Sequence, residues 1–253
     1  MQATFGPTMA DIHRVRALGL EAWIDDQINS QPASHHGDYI TEIQADLNGP
    51  RLDRSYLVNT DETYVEEQNL QTSFARAAIS GPDQLRQRVA FALSQILVIS
   101  RQDGAIDQNI KSLAAYYDRL IDHAFGNYYD LLMGVTLDPN MGRYLSHVGN
   151  QPPAPEINRF PDENYAREVM QLFSIGLWEL NQDGTRRTDS EGNFIQTYDN
   201  DEITELARVM TGLWFANNDW GSQTRQDAEH LAPMELHSDY HDFGEKTLLN
   251  GFV

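Results

Sequence analysis

The chain has 253 residues, with 18 basic against 38 acidic side chains and a formal net charge of −20. That length can bury a real core, and so acidic a surface repels nucleic-acid phosphates and anionic membranes alike. No cysteine is present, which excludes disulfides, thiolate nucleophiles and Cys-ligated metals.

No apolar run reaches the ~18 residues of a membrane span. The longest, Val89 to Ile99, is interrupted by Ser94 and Gln95. Residues 1–7 lack a basic n-region and an apolar h-region, so the protein either stays where it is made or has its export signal upstream.

In chain order, Thr8 and Asp11 form a capping-box pattern ahead of a helix whose apolar face is Ile12, Val15 and Leu18. Gly19 stops or kinks it, and Leu20 to Ile28 resumes helix. Residues 30–60, rich in Ser, Pro, Gly, Asn and Asp, read as an irregular connection. Glu62 to Ile79 is amphipathic, and Asp83 is the expected cap of the next helix. There Leu85, Val89, Ala92, Leu93, Ile96 and Leu97 recur at helical spacing, which places this helix at the centre of the core. Helices are expected over Ile106 to Phe125 and Tyr128 to Leu137, followed by a turn at Asp138-Pro139-Asn140. Residues 149–161 form a Pro-rich loop.

Asp162 to Trp178 is expected to be one long amphipathic helix. Tyr165, Val169, Leu172 and Gly176 line its apolar face, and Glu163, Asn164, Arg167, Glu168, Gln171 and Ser174 lie opposite. Turn clusters at 181–184 and 189–193 predict a small β-hairpin excursion near 178–198. Asp199 and Glu202 form a second capping box for a helix with Ile203, Leu206, Met210 and Leu213 as its core face. The expected fold is mainly α: one multi-helix globular bundle over 1–253, with that hairpin.

No phosphate loop, dinucleotide fingerprint, HExxH or GxSxG motif is present. His237 and His241 stand four apart with Asp239, Asp242 and Glu245 nearby and His230 upstream. Pro233 and Gly244 break any helix there, so surface histidines are favoured over a metal. Asp183, Asp189, Glu191 and Asn193 have calcium-ligand chemistry but not EF-hand spacing, so turns are favoured. The best-defined polar set is Glu163, Asn164, Arg167 and Glu168, whose spacing makes i,i+4 pairs of Glu163 with Arg167 and Asn164 with Glu168. It becomes a site only if another element covers it; otherwise it is a solvated face.

Five segments together resemble a bacterial family, domain of unknown function 1800. These are ATFGPT at 3–8, LRQRVAFALSQILVIS at 85–100, YYDRLIDHAFGNYYDLLMGVTLDPNMGRYLSH at 116–147, ENYAREVMQLFSIGLWEL at 163–180 with Tyr198 after it, and HDFGEK at 241–246. The resemblance implies the N-terminal half of a longer, exported (periplasmic or secreted) protein, often encoded beside another exported protein. It singles out Glu163, Asn164, Arg167, Glu168, Tyr198, His241, Asp242, Gly244 and Lys246 as site positions without naming an activity; of these Glu163, Arg167, Glu168 and His241 are taken as catalytic candidates and Asn164, Tyr198, Asp242 and Lys246 as substrate- or partner-binding candidates. This chain departs from the family pattern at Gln2, where Arg is expected, and at Phe173, where relatives often have His.

Two functions follow as expectations, with a calcium-stabilised module built on the 181–193 hairpin as a third reading. The first is a noncatalytic helical binding or scaffold protein with a protein partner in the cell envelope. The alternative is a hydrolase using Glu163 or Glu168, Arg167 and His241 with Asp242, with or without a metal. Neither a cofactor, a resident metal, a nucleic acid nor a membrane span is implied.

Overall fold

The computed structural model describes residues 3–48, 67–100, 110–221 and 231–251. It is mainly α, with ten α-helices and one two-stranded antiparallel sheet among the described residues. None of these helices is long and apolar enough to cross a membrane. The chain divides into two compact units, Met1–Val98 with Gln108–Gly134, and Ile99–Asp107 with Val135–Val253.

The first unit begins with the expected capping box. The Thr8 hydroxyl accepts the Asp11 N–H at 3.2 Å, and Asp11 accepts the Thr8 N–H at 2.7 Å. This starts α1 (Met9–Leu18); Gly19, at φ +83°, ends it and opens α2 (Leu20–Asn29). Residues 36–48, expected within the irregular connection, form helix α3 (His36–Asn48). Two features outside the local pattern make it helical. Ile40 and Ile43, three apart, are fully buried. The Asp118 carboxylate takes the N–H groups of His36 and Gly37 at 2.6 and 2.8 Å, satisfying donors at the helix start. Burial pushes the Asp118 carboxyl up to about 6 against these stabilising bonds.

Helix α4 (Glu67–Ser80) is followed by α5 (Gln84–Ser94). Asp83 precedes α5 but makes no capping bond to it. Its carboxylate, fully buried, instead accepts the Ser34 N–H at 2.9 Å, the Ser34 hydroxyl at 2.7 Å and Gln87 Nε2 at 3.0 Å. Nor is α5 the centre of the core. The Ser94 hydroxyl donates to the Phe91 carbonyl at 2.8 Å as the helix ends. Beyond that point Leu97 turns inward while Ile96 and Val98 point outward. The central place belongs to α6 (Ile110–Asp122), where Leu113, Ala114, Leu120 and Ile121 are buried against α3 and α5. Helix α7 (Tyr128–Thr136) follows, and the boundary between the units falls within it.

In the second unit Asp138 caps α8 (Pro139–Tyr144), accepting the Asn140 N–H at 2.8 Å with Pro139 in the first turn. Residues 149–161 form the expected loop, tightened by a short 3-10 turn at Pro155–Ile157. Helix α9 (Asn164–Gln171) has eight residues, about half the expected length. The Ser174 hydroxyl donates to the Val169 carbonyl and the Gly176 N–H, at φ +73°, to the Met170 carbonyl at 2.8 Å. These bonds wrap the chain round the helix end and leave Leu172 and Leu177 exposed.

The predicted hairpin follows. Bridges pair Trp178 with Gln196, Leu180 with Arg186 and Thr188 with Phe194. The second capping box, between Asp199 and Glu202, starts α10 (Asn200–Val209). Strand β1 (Leu213–Trp214) then pairs with β2 (Glu235–Leu236).

Replacing Asp83 by Ala leaves the Ser34 and Gln87 donors without their buried acceptor. We expect a loss of about 3 kcal/mol, read as a lower urea midpoint at unchanged slope.

Candidate functional site

Helix α9 is fixed at its start by a reciprocal clamp. Asn150 accepts the Asp162 N–H and donates to the Asp162 carbonyl, both at 3.0 Å, and Asp162 accepts the Asn164 N–H at 2.8 Å. The helix rests on a stacked pair beneath it. The Tyr165 and His147 rings lie 4.0 Å apart at 28°, and both are fully buried. The Tyr165 hydroxyl shares a hydrogen bond with Thr136 Oγ1 at 2.6 Å, and His147 Nε2–H donates to the Thr136 carbonyl at 2.9 Å. That bond places the proton on Nε2. Nδ1 is bare and has no partner among the described residues. Burial lowers the His147 pKa to about 4, so the ring is neutral at pH 7. Phe173, standing where the resemblance expects His in many relatives, is buried, with its ring 6.4 Å from that of Tyr165.

The apolar side of α9 meets α10. Ala166 and Met170 pack with Tyr198, Ile203 and Ala207. This brings the polar side of α9 against α10 as well. Glu163 Oε1 accepts the Thr204 hydroxyl at 2.8 Å, and Glu163 Oε2 accepts Arg167 Nη2 at 3.3 Å. The Glu163–Arg167 pair is half exposed and contributes only a few tenths of a kcal/mol. Asn164 is exposed.

One turn along α10 from Thr204, Arg208 forks. Its Nε donates to Asp242 Oδ2 at 2.7 Å, and its Nη1 donates to both Glu205 oxygens at 2.8 and 2.6 Å. Arg208 and Asp242 side chains are 19% and 11% exposed, so this charge-assisted fork is the stronger restraint. Hydrogen bonds from Arg208 hold the Asp242 carboxyl below the usual carboxylate range. The Asp242 N–H donates to Thr211 Oγ1 at 2.8 Å, and Lys246 donates to the Asp242 and Gly244 carbonyls. His241 Nδ1–H donates to the Thr211 carbonyl at 2.7 Å. Gly212 permits that approach. It sits at φ +82°, and a Cβ there would lie 2.9 Å from both the His237 carbonyl oxygen and the His241 Cβ.

Thus α10 gathers both predicted constellations, Glu163 through Thr204 and Asp242 through Arg208. Thr204, Arg208, Thr211 and Asn150 were not among the sequence candidates. Arg208 carried a signal, being one of three basic residues against 13 acids over 188–246.

Two candidates keep buried polar atoms without a partner among the described residues, Glu168 Oε2 and the Tyr198 hydroxyl. Tyr198 is 9% exposed. Burial raises its phenol above the ordinary value, with Arg167 opposing and Glu168 adding to the rise.

The other sequence candidates resolve locally. His237 and His241 flank a 3-10 turn, Ser238–Tyr240, and share no helix face. His230 lies outside the described residues. No group of three or more His, Asp or Glu side chains among the described residues is placed to hold a metal. Asp183 accepts the Thr185 N–H and hydroxyl, and Asp189 accepts the N–H groups of Glu191 and Asn193. Each closes a turn. In the first unit Ser73 Oγ and His36 Nδ1 share a hydrogen bond at 2.8 Å, but His36 Nε2 has no partner among the described residues, so no carboxylate completes a triad.

The model of one family, described as protein of unknown function (DUF1800), matches residues 1–253. The chain belongs to that family. No curated protein and no solved structure matches the chain.

Two predictions follow from this geometry. An unfolded histidine near its ordinary 6.5 binds a proton that the buried His147 refuses until about pH 4. The stability contributed by neutral His147 is therefore complete above pH 6.5 and declines between pH 6.5 and 4. Across that window the stability gap between the native chain and His147→Gln narrows by about 3 kcal/mol at most, measured by urea titration at each pH. Arg208→Met leaves the partly buried Asp242 with only Lys246 Nζ, 4.0 Å from Oδ1, as a cation. It should cost about 2 kcal/mol and speed hydrogen exchange at the Asp242 amide.

Proposed function

We propose that the chain is a noncatalytic, exported bacterial protein that binds a protein partner in the cell envelope through one face of its hairpin. The observation behind this reading is the make-up of that face. The bridge pattern puts Trp178, Leu180, Arg186 and Phe194 on the same side. Arg186 lies 5.3 Å from the Trp178 ring and 5.0 Å from the Phe194 ring, and the two rings are 5.8 Å apart. Leu180 and Phe194 are more than half exposed. Trp, Phe and Arg are the types enriched at interface centres, and their stacking presents large, ordered area at low entropic cost. The opposite face carries the Arg187–Glu179 ion pair.

The site carboxylates support binding over chemistry. Both Glu163 oxygens are engaged, and Asp242 is stabilised as an anion, which makes it a weak base.

The enzyme alternative centres on Glu168, whose Oε2 is buried without a hydrogen-bond partner among the described residues and whose charge acts on the Tyr198 phenol. A buried acceptor of that kind is where a substrate proton or hydroxyl is held.

Affinity capture from the envelope fraction of the native host tests the binding reading. We expect one stoichiometric protein partner, lost with Phe194→Ser and with Arg186→Glu while the circular dichroism spectrum is unchanged. A clean monomer with no partner, or capture indifferent to both substitutions, overturns it. Turnover of an ester, glycan or phosphate substrate that Glu168→Gln abolishes would put the enzyme in its place.

A further inference from the structure

The first unit contains a cleft of about 380 Å³ between α3 and the second half of α4. Its size is at the low end of small-molecule sites, which run from about 300 to 1,000 Å³. Helix α3 contributes Asp38, Tyr39 and Glu42 to its wall, and α4 contributes Arg76 one turn after Ser73. His35 also lines it, and Ala33, Ala77 and Pro82 supply its apolar surface.

The cleft carries charge of both signs, loosely matched. Arg76 Nη1 lies 3.4 Å from Glu42 Oε2, and both side chains are about 60% exposed. A pair this long and this wet contributes little, so either partner can be drawn to a better-placed ligand group at small cost. The Arg76 guanidinium lies 5.3 Å from the Tyr39 ring centroid, leaving its fork supported on an aromatic face. His35 Nδ1 is 3.8 Å from the Asp38 carboxylate, while its Nε2 bonds Asp122 at 2.7 Å. Of the serine hydroxyls in the wall, that of Ser34 is engaged with Asp83 and that of Ser73 with His36.

This arrangement selects against single charges. An anion meets Asp38 and Glu42, as well as the −20 charge of the whole chain. A cation meets Arg76. A ligand carrying both charges exchanges the Arg76–Glu42 pair for two new ones and leaves the local charge unchanged. We propose that the cleft binds a small zwitterion of the amino-acid or dipeptide class. Its carboxylate lies on the Arg76 fork, its ammonium lies against Glu42 and Asp38, and a short apolar side chain covers Ala77 and Pro82. The bidentate match of a guanidinium to a carboxylate fixes the ligand's direction. The inference is independent of the hairpin, which belongs to the second unit.

Isothermal titration of the 253-residue chain with L-alanyl-L-alanine, and with its N-acetylated and C-amidated forms, tests it. The expected result is saturable 1:1 binding of the free dipeptide, weakened at least tenfold by either cap. Arg76→Gln and Glu42→Gln should each weaken it at least tenfold with an unchanged melting curve, since both side chains reach into solvent. Should a variant unfold, the capped dipeptides on the unaltered protein still decide. Absence of dipeptide binding, equal binding of the capped forms, or inorganic phosphate binding as tightly as the dipeptide overturns the proposal.

Discussion

The second unit depends on one guanidinium. Arg208 lies in a stretch where acids outnumber bases 13 to three, and it faces Glu205 and Asp242 together. Without a cation between them, two carboxylates brought this close repel in a partly dehydrated place. With it, the HDFGEK segment is held to α10 at the turn next to Thr204, which in turn holds Glu163 of the ENYARE segment. Segments some 80 residues apart in the chain are thereby fastened to one helix. The backbone adds its own demands on the same spot. Gly212 must take a positive φ and carry no Cβ, because His241 passes against it. The resemblance singles out Asp242, Gly244 and Lys246, and each has a local structural duty here: accepting Arg208, turning the chain, and closing the loop onto its own carbonyls.

That result bears on how function is read from a cluster of polar residues. A charged constellation suggests chemistry, yet each oxygen of Glu163 and of Asp242 already accepts a hydrogen bond from a neighbouring donor. For Asp242 the hydrogen bonds from Arg208 stabilise the charged form and so weaken it as a base. Glu168 and Tyr198 differ in kind. Each keeps a buried polar atom unmatched among the described residues, a state that costs free energy unless a ligand or a water completes it. The distinction between matched and unmatched polar atoms separates scaffold from candidate binding groups more sharply than residue type does.

What could be read from the chain alone follows the range of each interaction. Both capping boxes were legible because their partners stand three residues apart: Thr8 with Asp11, Asp199 with Glu202. The hairpin was legible from its turn residues, and Asp183 and Asp189 serve the turns that their neighbours suggested. Helix α3 was hidden because Asp118, 82 residues away, supplies its start. Asp83 looked like a cap and became a buried acceptor because Ser34, 49 residues back, reached it first. The length of α9 was misjudged because apolar spacing continues through Leu172 to Leu177 while the backbone does not. A serine hydroxyl and a glycine with positive φ end the helix there, and periodicity has no term for either. Glu163, Tyr198 and Asp242 were found as sequence motifs, whereas Thr204 could be found only from the packing of α9 on α10, and Arg208 had only its scarcity as a base to mark it.

The exposed apolar side chains carry the last step. An acidic chain needs few surface aromatics for solubility, and a hydrophobic residue left singly on a surface requires no explanation. The hairpin departs from that pattern in its order. Where α9 stops short, the chain emerges as three extended pieces whose bridges align Trp178, Leu180, Arg186 and Phe194 on one side and the Arg187–Glu179 pair on the other. Early termination of α9 and exposure of this face are the same structural event. A helix continued to Trp178 would have removed the first bridge and the alternation it sets. The turn at Gly176 thus converts an apolar helical stripe into a two-faced surface held by six backbone hydrogen bonds among three extended pieces, each bonded to the other two. Its charged side faces away from its aromatic side, the division by which a two-faced element meets water on one side and a partner on the other.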